Sequence, residues 1–144
     1  MDILNIILGA ISNGIYKLYP ELDIFTEFVP EKLPKRCFLI GYAGEPTIKK
    51  DFGERYTVSG KIDIAYYVPK KAEELNAEFN RVFSNLSLEL QSVEHEGVSI
   101  RLYNHERQIA DDILHDICSF DTFLLRTDKT PKMKNVSIDS EEVR

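Results

Sequence analysis

The sequence predicts an α+β domain, a mixed and mainly antiparallel sheet of about four to five strands packed with two helices. Three observations carry that expectation. Ile3, Ile7, Ala10, Ile11, Gly14, Ile15 and Leu18 recur at helical spacing, and Ala72, Leu75, Phe79, Val82, Phe83 and Leu86 do so again. Between the two, Arg55 to Val68 alternates apolar and polar residues with period two. After the second helix, Val98–Ile109 and Ile113–Arg126 form two alternating runs separated by a short polar turn, the pattern of a hairpin.

Each element has its own boundary signals. The first helix spans about Asp2 to Tyr19 and stops at Pro20; Gly14 inside it costs roughly 1 kcal/mol relative to alanine, which either a close neighbour or an indifferent surface position would explain. Asp23 to Phe28 reads as a first strand, and Pro30 and Pro34 keep the next stretch irregular. Cys37 to Ala43 is a second strand, apolar on both faces and therefore central. Gly44 to Glu54 reads as a charged loop before the long Arg55–Val68 strand, within which Gly60 marks a bend or one end projects toward a neighbour. Helix two follows Pro69, with Glu73 and Glu74 at the positive end of its dipole; its far end is ambiguous, because Leu86, Leu88 and Leu90 also alternate. In the hairpin, a three-residue loop of Ala110, Asp111 and Asp112 places Arg101 opposite Asp121. It also aligns Val98, Ile100 and Leu102 on one face with Cys118, Phe120, Thr122 and Leu124, whereas a two-residue loop would turn one strand over. The expected organisation is one domain over residues 1–127 and a polar C-terminal tail over 128–144.

Composition excludes more than it identifies. With 43% hydrophobic and 29% charged residues, the chain has the makeup of a folded globular protein rather than a disordered one. Ser12, Asn13 and Lys17 interrupt the apolar N-terminal stretch, which has no basic leader, so neither a signal peptide nor a membrane span is expected. A net charge of -6 offers no basic stripe to displace counterions from a phosphate backbone, which argues against direct nucleic-acid recognition. Cys37 and Cys118 lie within apolar strands and read as reduced core residues rather than a disulfide.

Residues with chemical potential do not assemble into a site. Each histidine precedes an acid, in His95-Glu96, His105-Glu106 and His115-Asp116, but neighbours on a strand point to opposite faces, and a metal centre needs at least three ligands to converge. In the three-residue-loop register His115 lies opposite Arg107, so these residues read as solvated strand and loop positions, with no metal, cofactor or catalytic group expected. No nucleophile with a base and no phosphate-cradling glycine loop is present, which points away from an enzyme. Residues 92–116 carry six acids against Arg101 and Arg107, either an acidic docking edge or a solvated hairpin tip that includes Asp111 and Asp112. Lys49, Lys50, Asp51 and Phe52 in the charged loop, and Met133, Val136 and Ile138 in the polar tail, complete the candidate contact residues. Phe52 either anchors an interface or folds back on the sheet.

Taken in order, a long apolar helix ends at Tyr19-Pro20 and a strand carries Ile24, Phe25 and Glu27. Leu33-Pro34 then leads into Cys37-Phe38-Leu39-Ile40, followed by Arg55-Tyr56, a strand ending at Tyr66-Tyr67, an amphipathic helix, and the hairpin Ile109-Ala110-Asp111-Asp112-Ile113-Leu114-His115. This succession resembles the tail terminator proteins of long-tailed phages and of phage tail-like particles of Gram-positive bacteria, over about residues 1–127. It departs from their pattern at Pro30-Glu31-Lys32, where a glutamine and glycine would be expected, and at Asp112, where glycine is common.

The resemblance implies a structural assembly protein without an enzymatic activity. Such a protein forms a hexameric ring of identical subunits, caps the tail tube, ends its polymerisation and presents a surface for head or neck attachment. The implied partners are the tail tube protein, the sheath protein if the tail is contractile, and a neck or head-completion protein, with no membrane involved. The implied location is the virion or tail-like particle, after assembly in the host cytoplasm. A head–tail adaptor or a cytoplasmic binding domain remains as an alternative.

Overall fold

The computed structural model describes residues 2–26, 29–33, 35–50, 53, 55–69 and 75–125. The elements run α1 (Ile3–Leu18), β1 (Asp23–Phe25), β2 (Cys37–Tyr42), β3 (Thr47–Lys50), β4 (Arg55–Tyr67), α2 (Leu75–Glu89), β5 (Ser92–His95), β6 (Val98–Ala110) and β7 (Ile113–Leu125). The α+β class and both helices stand as the sequence predicts. Among the described residues seven strands rather than four or five make up the sheet, in the order β1-β2-β4-β7-β6-β5 with β3 also on β4, and it curls as a half-barrel. Only β1 and β2 pair in parallel among the described residues.

The two extra strands explain the low expectation. β5 is four residues long and sits between the end of α2 and the Glu96-Gly97 turn, too short to show a period. β3 lies inside the stretch read as a loop, because Thr-Ile-Lys-Lys offers one apolar residue and all four side chains are exposed. In the ladder, β3 continues β2. Tyr42 pairs with Ile62 and Thr47 with Ser59, so five residues advance on this side against three on β4. The surplus is absorbed at Gly44, whose φ of 90° suits glycine, and at Pro46. Gly60 lies under that excursion: a Cβ there would stand 3.2 Å from the Pro46 Cα and 3.1 Å from the Phe120 ring. Close approach, rather than a bend, accounts for Gly60, and β4 runs unbroken past it.

The hairpin corrects the expected loop. Ala110 pairs with Ile113, leaving Asp111 and Asp112 as a two-residue turn with φ of 54° and 60°, both positive as a type I′ turn demands. The expected pairing of Arg101 with Asp121 is nevertheless present. A β-bulge between Tyr103 and Glu106, with Asn104 at φ 54°, shifts the register by one residue between the turn and the far end. His115 therefore lies opposite Gln108, and Arg107 opposite Asp116.

One core joins both helices to the inward face of the sheet. Ile7, Ile11 and Ile15 of α1, Phe79 and Leu86 of α2, and Phe38, Ile62, Ile64, Ile100, Leu114 and Phe120 of the sheet are fully buried, each side chain contributing roughly 1.5–3 kcal/mol. Burial of Leu86 with exposure of Leu88 settles the ambiguous end of helix two as helical. Gly14 is where α1 meets β5: a Cβ there would lie 2.7 Å from Val93 Cγ1 and 2.8 Å from Leu90 Cδ1, so its absence permits the contact. Helix α2 is tied to β4 by Tyr66, whose hydroxyl donates to Glu78, while Arg36 donates twice to the same carboxylate at 2.7 and 3.1 Å. Cys37 and Cys118 are buried and free, as expected. No described helix is long and apolar enough to cross a membrane.

Candidate assembly interface

Strand β3 is built outward from β4. Thr47 to Lys50 pair antiparallel with Ser59 to Tyr56, so Ile48 sits opposite Val58 and shares its face, while Thr47 and Lys49 share the face of Ser59 and Thr57. Val58 is completely buried, yet Ile48 is 52% exposed, because among the described residues no strand lies outside β3. The result is an open sheet edge, with unpaired backbone donors and acceptors, one apolar side chain and the two ammonium groups of Lys49 and Lys50. Lys49 and Lys50 thus lie on an edge strand rather than in a loop. The expected partners in that cluster, Asp51 and Phe52, fall outside the described residues, as do Met133, Val136 and Ile138.

A second open edge lies diagonally across the sheet. Beyond the bulge, β6 from Glu106 to Ala110 is exposed on every residue, with β7 on one side and, among the described residues, no strand on the other. Ile109 is 40% exposed there, and the Asp111-Asp112 turn closes that end. The structure therefore brings the predicted basic and acidic residues to different places: Lys49 and Lys50 at one sheet edge, Asp111 and Asp112 at the tip beyond the other.

The histidine–acid pairs are rearranged by the bulge. His105 Nδ1–H donates to the Asp116 carboxylate at 2.8 and 3.0 Å, with 8% of the His105 side chain and none of Asp116 exposed. Burial pushes the Asp116 carboxyl above the ordinary aspartate range, while the His105 hydrogen bond opposes that rise. On the opposite face of the sheet, His115 Nδ1 meets Asp63 at 2.9 Å. These positions are ordered pairs and, for His105 and Asp116, core positions; the expectation of solvated residues does not hold.

His105, Asp116 and Cys118 also bring ligand-type atoms within 4.8 Å of one another. Burial pushes the Cys118 thiol up to about 12, so it stays protonated at neutral pH, and with no exposure it is not placed to meet a substrate. Within the trio, the His105–Asp116 hydrogen bond fastens the bulged part of β6 to β7.

The signal for this core pair is present in the chain: Asp116 shares strand parity with Leu114, Cys118 and Phe120, all of which are buried. The exposed Ile48 has no such signal, since its alternation with threonine and lysine is too short to declare a strand.

Among curated proteins, none matches the chain. A family model described as "Phage tail terminator protein" matches residues 6–132, from within α1 through the whole sheet. With that match over most of its length, and a fold of the class that the succession of elements predicts, the chain belongs to the phage tail terminator family.

Proposed function

We propose that this protein closes as a ring, most simply a hexamer, on the end of the tail tube, where it halts polymerisation and offers the surface on which the head or neck attaches. The family is one of structural proteins of phage tails, and the match over residues 6–132 is the observation that carries the reading. The physical requirement is heterologous contact: each subunit presents two different surfaces, and the ring closes when the rotation between neighbours is right. Two open, dissimilar sheet edges, Thr47–Lys50 and Glu106–Ala110, are suited to that need. The partners under this reading are further copies of the chain, the tail tube protein, a sheath protein in a contractile tail, and a neck or head-completion protein. The working unit is the domain over residues 1–127, with 128–144 as a contact segment. No cofactor, reaction, membrane or nucleic-acid contact is required, and the site of action is the head-proximal end of the virion tail or tail-like particle.

Polymerising the cognate tube protein with and without this chain, and scoring tube lengths and end caps by negative-stain electron microscopy, tests the reading. Ring-shaped caps at one end with arrested growth are expected. Uncapped tubes of unchanged length would overturn it in favour of a head–tail adaptor.

A further inference from the structure

We propose that the open edge of β3 receives, as an added strand, the C-terminal segment of a neighbouring copy of this chain, with Ile138 beside Ile48 and Asp139 beside Lys49. The inference deepens the ring reading and rests on it: it names the two pieces of chain that meet between subunits.

The edge specifies its occupant in three ways. Its backbone groups call for a strand, its face turned to the core side carries the half-exposed Ile48, and its charge is the pair Lys49 and Lys50. The chain beyond β7 holds a segment with all three properties. From Lys134 onward Val136 and Ile138 alternate in sequence with Asn135, Ser137 and Asp139. Asp139, Glu141 and Glu142 then gather acid at its end.

Orientation follows from asking for both matches at once. If the segment runs parallel to β3, Ile138 lies beside Ile48 on the core side, Asp139 beside Lys49 on the outer side, and Glu142 just beyond Lys50. An antiparallel segment with Ile138 at Ile48 carries Asp139 and Glu141 toward Glu45 and away from both lysines, so it gains the apolar contact and loses the charge pairing. The other open edge is a poorer occupant, because setting Ile109 against Ile48 in the antiparallel sense brings Arg107 to Lys50.

The parallel direction also favours a neighbour over the chain's own tail. Leu125 pairs with Arg55, at the Lys50 end of β3, so a tail that turned directly back onto its own subunit would lie antiparallel. Entry from the Thr47 end is the approach open to a second subunit. The nine residues from 126 to 134 reach about 30 Å when extended, enough to cross to an adjacent edge.

Two full-length chains, one carrying Ile48→Cys and the other Ile138→Cys, would be mixed under mild oxidation with the tube protein present; the native Cys37 and Cys118 are buried. A disulfide-linked heterodimer is the expected product. Thr47→Cys with Ser137→Cys should link more than threefold better than Thr47→Cys with Asp139→Cys, as the parallel register requires. In parallel, the double variant Lys49→Glu and Lys50→Glu should lower the assembled fraction at least tenfold in light scattering, and Asp139→Lys with Glu141→Lys should restore it. Linkage only within single chains carrying both cysteines, or preference for the antiparallel pair, overturns the proposal. So do rings and caps that persist in Val136→Asp/Ile138→Asp, and that result leaves the ring reading standing. A wild-type chain that neither forms rings nor caps tubes removes both.

Discussion

The two halves of β4 carry the same alternation and meet different surroundings. From Ile62 to Tyr66 the strand is flanked by β2 and β7, and Ile62 and Ile64 are completely buried in the core shared with both helices. From Tyr56 to Ser59 β7 is still on one side, but β3 replaces β2 on the other, and its only apolar residue is half in solvent. Period two says which side of a sheet a residue faces, but not whether anything covers that side. Stability is concentrated where the helices lie, whereas at the other end Val58 is buried but Ile48 beside it on β3 stands half in solvent.

The largest expected effect sharpens that contrast. Phe38 on β2 is fully buried, with its ring 5.3 Å from Tyr19 and 5.2 Å from Tyr66. Phe38→Ala should lower the unfolding free energy by about 3–5 kcal/mol in urea titrations, whereas Ile48→Ala should change it by no more than about 0.5 kcal/mol. Comparable losses at both positions would mean that β3 belongs to the core after all.

The buried pair tests the covered face in a different way. His105→Ala leaves the Asp116 carboxyl in the core without its imidazole partner, at a cost of about 3–5 kcal/mol at neutral pH. Because burial raises the folded-state pKa of Asp116, the stable condition for that group is the protonated one, complete below the ordinary aspartate range and lost as pH rises through the raised value. The penalty of His105→Ala should therefore shrink on acidification and grow toward neutrality. A penalty independent of pH, followed by chemical denaturation from pH 4 to 8, would show that Asp116 stays neutral in the variant throughout.

Gly14 decides between packing and indifference by sign. In an exposed helix, Gly→Ala adds roughly 1 kcal/mol of stability. Here the new methyl would meet Val93 and Leu90 below 3 Å, and overpacking costs of about 1–3 kcal/mol outweigh the propensity gain. Gly14→Ala should thus lower the thermal midpoint.

How far the sequence could be read follows the same division between covered and uncovered chain. Helix α1, helix α2, the long strand β4 and the hairpin were legible because each repeats its period often enough against a core. β3 and β5 were not, since four residues establish no period, and β3 faces no cover that would demand apolar residues. The hairpin turn was misread for a different reason. The correct far-end pairing of Arg101 with Asp121 was reached by placing an extra residue in the loop, whereas the chain places it at the Asn104 bulge, where a positive φ is tolerated by asparagine. That displacement also moved His105 onto Asp116, so the buried pair was hidden by a single misplaced residue. Lys49 and Lys50 read as charged loop residues in the sequence and lie on an edge strand in the fold.

The smallest effect concerns the tether that holds the cover in place. Glu78 on α2 accepts from Arg36 and Tyr66, and the Arg36 hydrogen bonds hold its carboxyl below the usual glutamate range despite partial burial. Tyr66 is pushed upward, first by burial and then by its bond to Glu78, so the phenol remains a donor throughout the working range. A carboxylate with a depressed folded pKa contributes stability that is present above its unfolded value and is lost as pH falls toward the folded one. Glu78→Gln should accordingly flatten the acid limb of the stability profile below about pH 4.5, while leaving the slope near neutrality unchanged. Since the Arg36 side chain is 43% exposed, added salt should reduce the wild-type advantage as well. If the acid limb keeps its slope in the variant, α2 is held against β4 by Phe79, Val82 and Leu86 alone, and the cover over the buried half of β4 owes nothing to its charged tether.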